Sequence, residues 1–162
     1  MTIRLRPTKH EDIKYIIDAE QSPENRVFVG QWSENEHLSS LDDADFLHLI
    51  VERTSDQEPV GYVILAGMEN QNQSIEFRRI VITQKGIGYG RAALKAVKEL
   101  AFEQYQAHRL WLDVRVFNES AQKLYQSEGF QVEGILRECV KLEDRFVSLV
   151  IMSILASEYV GN

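Results

Sequence analysis

The sequence has a single cysteine, Cys139, and no apolar run approaching the roughly 20 residues that a membrane-spanning helix needs. One thiol excludes an internal disulfide and any cysteine-based zinc site. The first ten residues, MTIRLRPTKH, lack an apolar signal-peptide core. Together these absences predict a cytoplasmic protein with no membrane partner. Repeats, low-complexity stretches and linkers are missing too, so the 162 residues read as one domain, 1–162, around one sizeable core. Cys139 itself reads as a small apolar residue inside a strand. His10, His48 and His108 have no ligand spacing, and no metal site is expected.

Positive charge is scarce in the first half of the chain. Residues 1–76 carry 15 acidic and 6 basic side chains, whereas residues 77–162 carry 10 acidic and 12 basic ones. The acidic half disfavours nucleic acid and suits a cationic partner. The second half is suited to an anion.

Hydrophobic periodicity divides the chain into alternating strands and helices. Ile3-Arg4-Leu5 alternates as a short strand. Thr8 and Glu11 have capping-box spacing, which predicts a first helix from near Lys9 that stops at Ser22-Pro23. Short helices and a strand over Leu47–Glu52 are expected next. Val60–Ala66 and Ser74–Thr83, joined by the turn residues of Glu69–Asn72, read as an antiparallel hairpin. A helix over Arg91–Gln106, a strand over Leu110–Val116, a helix capped by Asn118 and ending near Glu128, and strands over 130–133, 137–142 and 146–155 complete the order. This is an α+β pattern, a central mixed sheet flanked by helices.

The most informative stretch is KGIGYGRAALKAVKEL, Lys85–Leu100, where a strand meets three alternating glycines and then a helix. Unpaired N–H groups and the positive end of the helix dipole make such a turn an anion site, and glycine lets a phosphate approach the backbone. A nucleoside-triphosphate loop is excluded, because G-x-x-x-x-G-K-[ST] does not occur. Gly88-Tyr89-Gly90-Arg91-Ala92-Ala93 satisfies G-x-G-x-x-A, with Asp113 about 20 residues on. However, the preceding strand belongs to a hairpin, and too little chain follows for a doubly wound sheet.

A third reading is the pyrophosphate of coenzyme A, and it rests on a resemblance. IVITQKGIGYGRAALKAVKELAF followed by LWLDVRVFNESAQKLYQSEGF resembles the GNAT superfamily of acyl-CoA-dependent N-acetyltransferases, in which N-x-x-A-x-x-L-Y-x-x-x-G-F follows the next strand. Asn118, Ala121, Leu124, Tyr125, Gly129 and Phe130 match that pattern position by position. EGILREC and the strand after Asp144 are similar to the branch containing ribosomal-protein, polyamine and aminoglycoside N-acetyltransferases. Lys85 stands where that family usually has Arg or Gln, keeping the charge without the planar fork.

The resemblance implies the GNAT fold, with acetyl-CoA as cosubstrate and a primary amine as acceptor in a direct ternary-complex transfer. It also implies a strand splayed from its neighbour, so that the main chain at Ile80, Val81 and Ile82 takes the pantetheine arm and the thioester. The turn Lys85, Gly86, Ile87, Gly88, Tyr89, Gly90 and Arg91 would then hold the pyrophosphate, and Asn118 would touch the arm as well as cap its helix. Tyr125 becomes the general acid toward the leaving thiolate, against its plainer reading as a core tyrosine. Glu76 becomes the base for the amine proton, against a solvated edge glutamate. Trp32, Glu34 and Glu36, with His37 beside them, fall where such proteins cover the acceptor, as an aromatic and acidic pocket for a cation. A polyamine-like small amine and a protein N-terminus stand level as acceptors. Dimerisation is common in that family, and the C-terminal hairpin would be the segment to take part. A noncatalytic acyl-CoA-binding module on the same fold is the rival, though a binder has no use for the proton donor at Tyr125.

Overall fold

The structure is a computed structural model and describes residues 2–161. Seven strands are joined by five helices in the order β1 (Ile3–Pro7), α1 (Ile13–Gln21), α2 (Pro23–Arg26), α3 (Glu34–Leu41), β2 (Phe46–Arg53), β3 (Pro59–Ala66), β4 (Ser74–Ile82), α4 (Tyr89–Glu99), β5 (Arg109–Arg115), α5 (Glu119–Ser127), β6 (Gln131–Leu142) and β7 (Arg145–Leu155). The strands make one mixed sheet, ordered β1-β2-β3-β4-β5-β7-β6. The expected α+β architecture is therefore present. Among the described residues, no helix is long and apolar enough to cross a membrane.

Each face of the sheet buries its own core. On one face the larger cluster packs Ala93, Leu94 and Val97 of α4 and Tyr125 of α5 against Ile75, Phe77, Leu110 and Leu112. On the other, Ile13, Ile16 and Ala19 of α1 cover Ile50, Tyr62, Ile64 and Val81. Strand alternation explains the division, since successive side chains point to opposite faces. β4 changes its parity part-way. Register with β3 runs Ile64↔Arg79 and then Leu65↔Phe77, leaving Arg78 without a partner. This bulge sends Phe77 and Ile80 to the same face and turns Arg79 to the other.

The parallel join at the centre is short. β4 pairs with β5 only through Ser74↔Arg109, Ile75↔Leu110 and Glu76↔Trp111, although both strands continue beyond these pairs. From Phe77 onward the two strands diverge, as the family resemblance led us to expect. β3 stays close to β4 throughout. A Cβ on Gly61 would lie 2.3 Å from the Val81 carbonyl oxygen, so only glycine fits there.

Several sequence expectations need correction. The first helix is capped one residue later than Thr8/Glu11 spacing suggests: the Lys9 amide donates to Asp12 Oδ2 at 2.8 Å, a 3-10 turn covers His10–Asp12, and α1 starts at Ile13. The helix read as Arg91–Gln106 begins at Tyr89, and after Glu99 it widens into a π turn over Leu100–Gln104. The strands read at 130–133 and 137–142 are one strand, β6, with register breaks at Val132/Gly134 and Leu136/Val140. Cys139 lies in the second break and is exposed rather than buried.

Candidate active site

The divergence of β4 and β5 opens a cleft of about 790 Å³. Its walls come from the open ends of those strands, the segment after α2, the start of α5, and Val140 and Leu149 of the C-terminal hairpin. Of the residues named from sequence, the cleft gathers Glu76, Ile80, Lys85, Asn118 and Tyr125.

The glycine turn runs from the end of β4 into α4. Gly86 and Gly88 take φ of +78° and +102°, a region that costs other residues steric strain. Gly88 is the N-cap of α4, and no side chain caps the helix. The first turn of α4 therefore presents free amides at its positive end. The backbone of Lys85–Arg91 is suited to an anion. Side chains in the turn have other occupations. Tyr89 is buried in the core, and its hydroxyl receives a 3.3 Å hydrogen bond from Arg53 Nη1. Arg91 spans to α5, donating to Glu128 Oε2 at 2.6 Å and Ser127 Oγ at 2.9 Å. Lys85 alone among the turn's side chains lines the cleft, where burial draws its ammonium below the ordinary range and Glu24 opposes the shift.

α5 brings its own pair. Asn118 Oδ1 accepts from the Ala121 amide at 3.3 Å, the cap its position predicted. Two turns on, Tyr125 is 7% exposed, and its phenol is pushed above the usual range by burial and then by the Asp113 charge. A phenol so shifted stays protonated at neutral pH. Tyr125 lines the cleft.

Two carboxylates stand across from it. Glu76, the last β4 residue paired with β5, accepts from Arg78 Nη1 at 3.3 Å. Burial raises its carboxyl above the ordinary range; Arg78 opposes that shift and Asp113 adds to it. Asp113 on β5 is raised by burial as well, with Arg78, Arg115 and Arg79 opposing. A carboxyl whose pKa rises toward neutrality is better matched to proton removal.

Sequence reasoning weighed Asp113 only as a nucleotide-binding acid and missed its place here. Period-two alternation in β5 carried the signal, since Leu110, Leu112 and Val114 face the core and Trp111, Asp113 and Arg115 face away. Arg79 was missed for a different reason, because the bulge at Arg78 reverses which face it takes.

Trp32, Glu34 and Glu36 are not brought to the cleft. Trp32 packs edge-on to Phe46 and His37, with ring centroids 5.8 and 5.2 Å away, and the Arg79 guanidinium lies 5.0 Å over its ring. Its π face already holds a cation from its own chain. Glu36 closes a capping box with Ser33 at the start of α3, and Glu34 is exposed beside it. His37 is fully buried and belongs to a chain of hydrogen bonds that also contains His48. Its Nε2–H donates to Glu20 Oε1 at 2.7 Å, Arg79 Nη1 donates to Glu20 Oε2 at 2.8 Å, His37 Nδ1 and His48 Nε2 are 3.0 Å apart, and the Thr8 hydroxyl is 2.9 Å from His48 Nδ1. This network fixes Arg79 from behind the cleft. Among the described residues, no group of three or more His, Cys, Asp or Glu side chains is arranged to hold a metal ion.

Residues 2–131 match the family model for the acetyltransferase (GNAT) domain. This chain belongs to the GNAT acetyltransferase family. It is similar to the spermidine N(1)-acetyltransferase of Escherichia coli K12, 26% identical over 170 residues that cover 99% of this chain and 90% of the relative. The Vibrio cholerae enzyme of the same name is 26% identical over 171 residues, covering 99% of this chain and 96% of that one. Among solved structures, the Vibrio cholerae spermidine N-acetyltransferase in complex with CoA and spermine superposes with a TM-score of 0.87 at 25% identity, over 97% of both chains. A structure of that spermidine/spermine N-acetyltransferase with manganese ions superposes with a TM-score of 0.82 at 25% identity, over 97% of this chain and 94% of that one. The GNAT chain described here is an acetyl-CoA-dependent N-acetyltransferase, and the noncatalytic alternative is not favoured.

Proposed function

We propose that this GNAT enzyme acetylates a small primary aliphatic amine, the class to which the spermidine of its relatives belongs, by direct attack within a ternary complex. The observation that carries this reading is the cleft itself. The open edge of β4, Lys85 at the start of the glycine turn, Tyr125 and Glu76 all line one space. A protein N-terminus, the other acceptor considered, has no support from these relatives.

The residues divide the chemistry among them. β4 from Phe77 to Ile82 has no strand partner on its β5 side, so its main chain can hydrogen-bond the pantetheine arm and the thioester oxygen. The amides of Lys85–Arg91, with the Lys85 charge, hold the pyrophosphate. Glu76, directly or through a water, takes a proton from the alkylammonium, whose unperturbed pKa of about 10.4 keeps it charged at neutral pH. Attack by the freed amine on the thioester carbon forms the C–N bond and breaks the C–S bond. Tyr125 gives its proton to the departing sulfur, and the second proton, shed by the acylated nitrogen, restores the phenol, yielding amide and free thiol.

Release of coenzyme A thiol from acetyl-CoA tests this across polyamines, amino acids, aminoglycosides and short peptides, with a mock reaction to subtract the exposed Cys139 thiol. Turnover confined to primary amines is expected. Bound acetyl-CoA with silence across the whole panel would return the chain to the binding-module reading.

A further inference from the structure

A polycation should be met by an excess of negative charge, yet this cleft is lined by five basic side chains and four acidic ones. Two of the arginines are accounted for. Arg79 is paired with Glu20 and Arg78 with Glu76. Arg115 is not. It is 8% exposed, lines the cleft, and donates from Nη1 to the Val27 carbonyl oxygen at 2.6 Å, and among the described residues no carboxylate lies within ion-pair distance of it. A guanidinium has five N–H donors and cannot shed its charge, so burial without a counter-ion is costly. Burial lowers its affinity for its proton, and the Asp113 charge opposes that shift.

Asp113 is its neighbour on the same face of β5, two residues away, or about 7 Å between Cα atoms. The two feel each other's charge, and Arg78 and Arg79 also act on Asp113, but no salt bridge closes on either among the described residues. The cleft thus offers an anion and a cation side by side. The free amides of the glycine turn lie at the start of α4, whereas Arg115 reaches toward Val27, just past α2.

From this juxtaposition we infer that the acceptor is an amino carboxylate, with Arg115 binding its carboxylate and Asp113 its ammonium. The inference rests on the acetyltransferase reading above and narrows its acceptor class. It separates this chain from an enzyme for polyamines, which carry no anionic group.

Matched pairs that differ by one carboxylate provide the test: putrescine against ornithine, cadaverine against lysine, 2-phenylethylamine against phenylalanine. Thiol release should show kcat/KM at least tenfold higher for the acid in the pair the enzyme prefers, the effect expected of a charge-assisted bond. Arg115→Gln should raise KM for the acid about tenfold and draw the ratio toward one, and Arg115→Lys should restore part of it. Equal or better turnover of the amine in every pair would overturn the inference while leaving the acetyltransferase intact, and needs no variant to fold. Arg115→Gln that lowers kcat but spares KM would overturn it as well. Silence with every amine and every acid would remove the acetyltransferase reading and this inference with it.

Discussion

Lowering the pH from 7 to 5 should remove about 2 kcal/mol of folding stability through His48 alone. The ring is buried between the Thr8 hydroxyl on Nδ1 and His37 on Nε2, with Tyr62 stacked on it at 5.6 Å. Burial, followed by the charges of His37 and Arg79, holds its pKa down to about 3, and Asp12 opposes this. An unfolded histidine takes up its proton near 6.5, so between about pH 6.5 and pH 3 the unfolded chain binds a proton that the folded one refuses. Stability from this source is complete above about 6.5 and is lost as pH falls, at about 1.36 kcal/mol per pH step, which gives about 2 kcal/mol at pH 5. Urea unfolding at the two pH values measures it, against a His48→Gln variant in which Asp12, Glu52, Glu76 and Asp113 still titrate. The variant should be less stable at pH 7 but lose about 2 kcal/mol less on acidification. Parallel losses in the two proteins would refute the assignment of the proton to His48.

Tyr125→Phe should lower kcat by roughly 10²-fold or more, the scale of a lost general acid, with acetyl-CoA affinity within about twofold; undiminished turnover would remove Tyr125 from the chemistry. Glu76→Gln should abolish the acidic limb of the kcat/KM profile, a limb placed above the ordinary glutamate range by the raised carboxyl. An unaltered limb would point to Asp113 instead. Lys85→Glu should weaken acetyl-CoA binding roughly five- to tenfold at low salt, and less at high salt; a Kd insensitive to the change would mean that the turn does not hold the pyrophosphate. Gly61→Ala should cost at least the ~1–3 kcal/mol typical of overpacking, because the obstacle 2.3 Å from the new methyl is a carbonyl of the neighbouring strand. A thermal midpoint equal to that of the unaltered protein would contradict the register of β3 on β4.

Local chemistry was legible in the sequence. The amphipathic spacing of Ala93, Leu94 and Val97, the glycines at positive φ, and the Asn118 cap with Tyr125 behind it all depend on neighbours within a few residues. What was misread depends on distant contacts. Thr8 looked like a helix cap, but its hydroxyl is 2.9 Å from His48, 40 residues away, and the cap moves to Lys9 and Asp12. His37 and His48 showed no shared spacing because α3 and β2 bring them together only in the fold. Trp32 and the acidic residues after it suggested a cation pocket, and the cation turned out to be Arg79, aimed there by a bulge no propensity encodes. Cys139 had strand-like neighbours on both sides, yet β6 loses register there and its thiol meets solvent.

The three residue pairs between β4 and β5 are also the whole of the strand pairing between two half-sheets, β1 to β4 on one side and β5, β7 and β6 on the other. Mechanically, this makes the molecule a pair of jaws sharing one short pivot. A cosubstrate lying against the open edge of β4 while its far side touches Asn118 and Tyr125 would press on both jaws at once. The same molecule that delivers the acetyl group would then act as a brace, and its departure after each turnover would leave the protein more compliant along the line where the next one must enter.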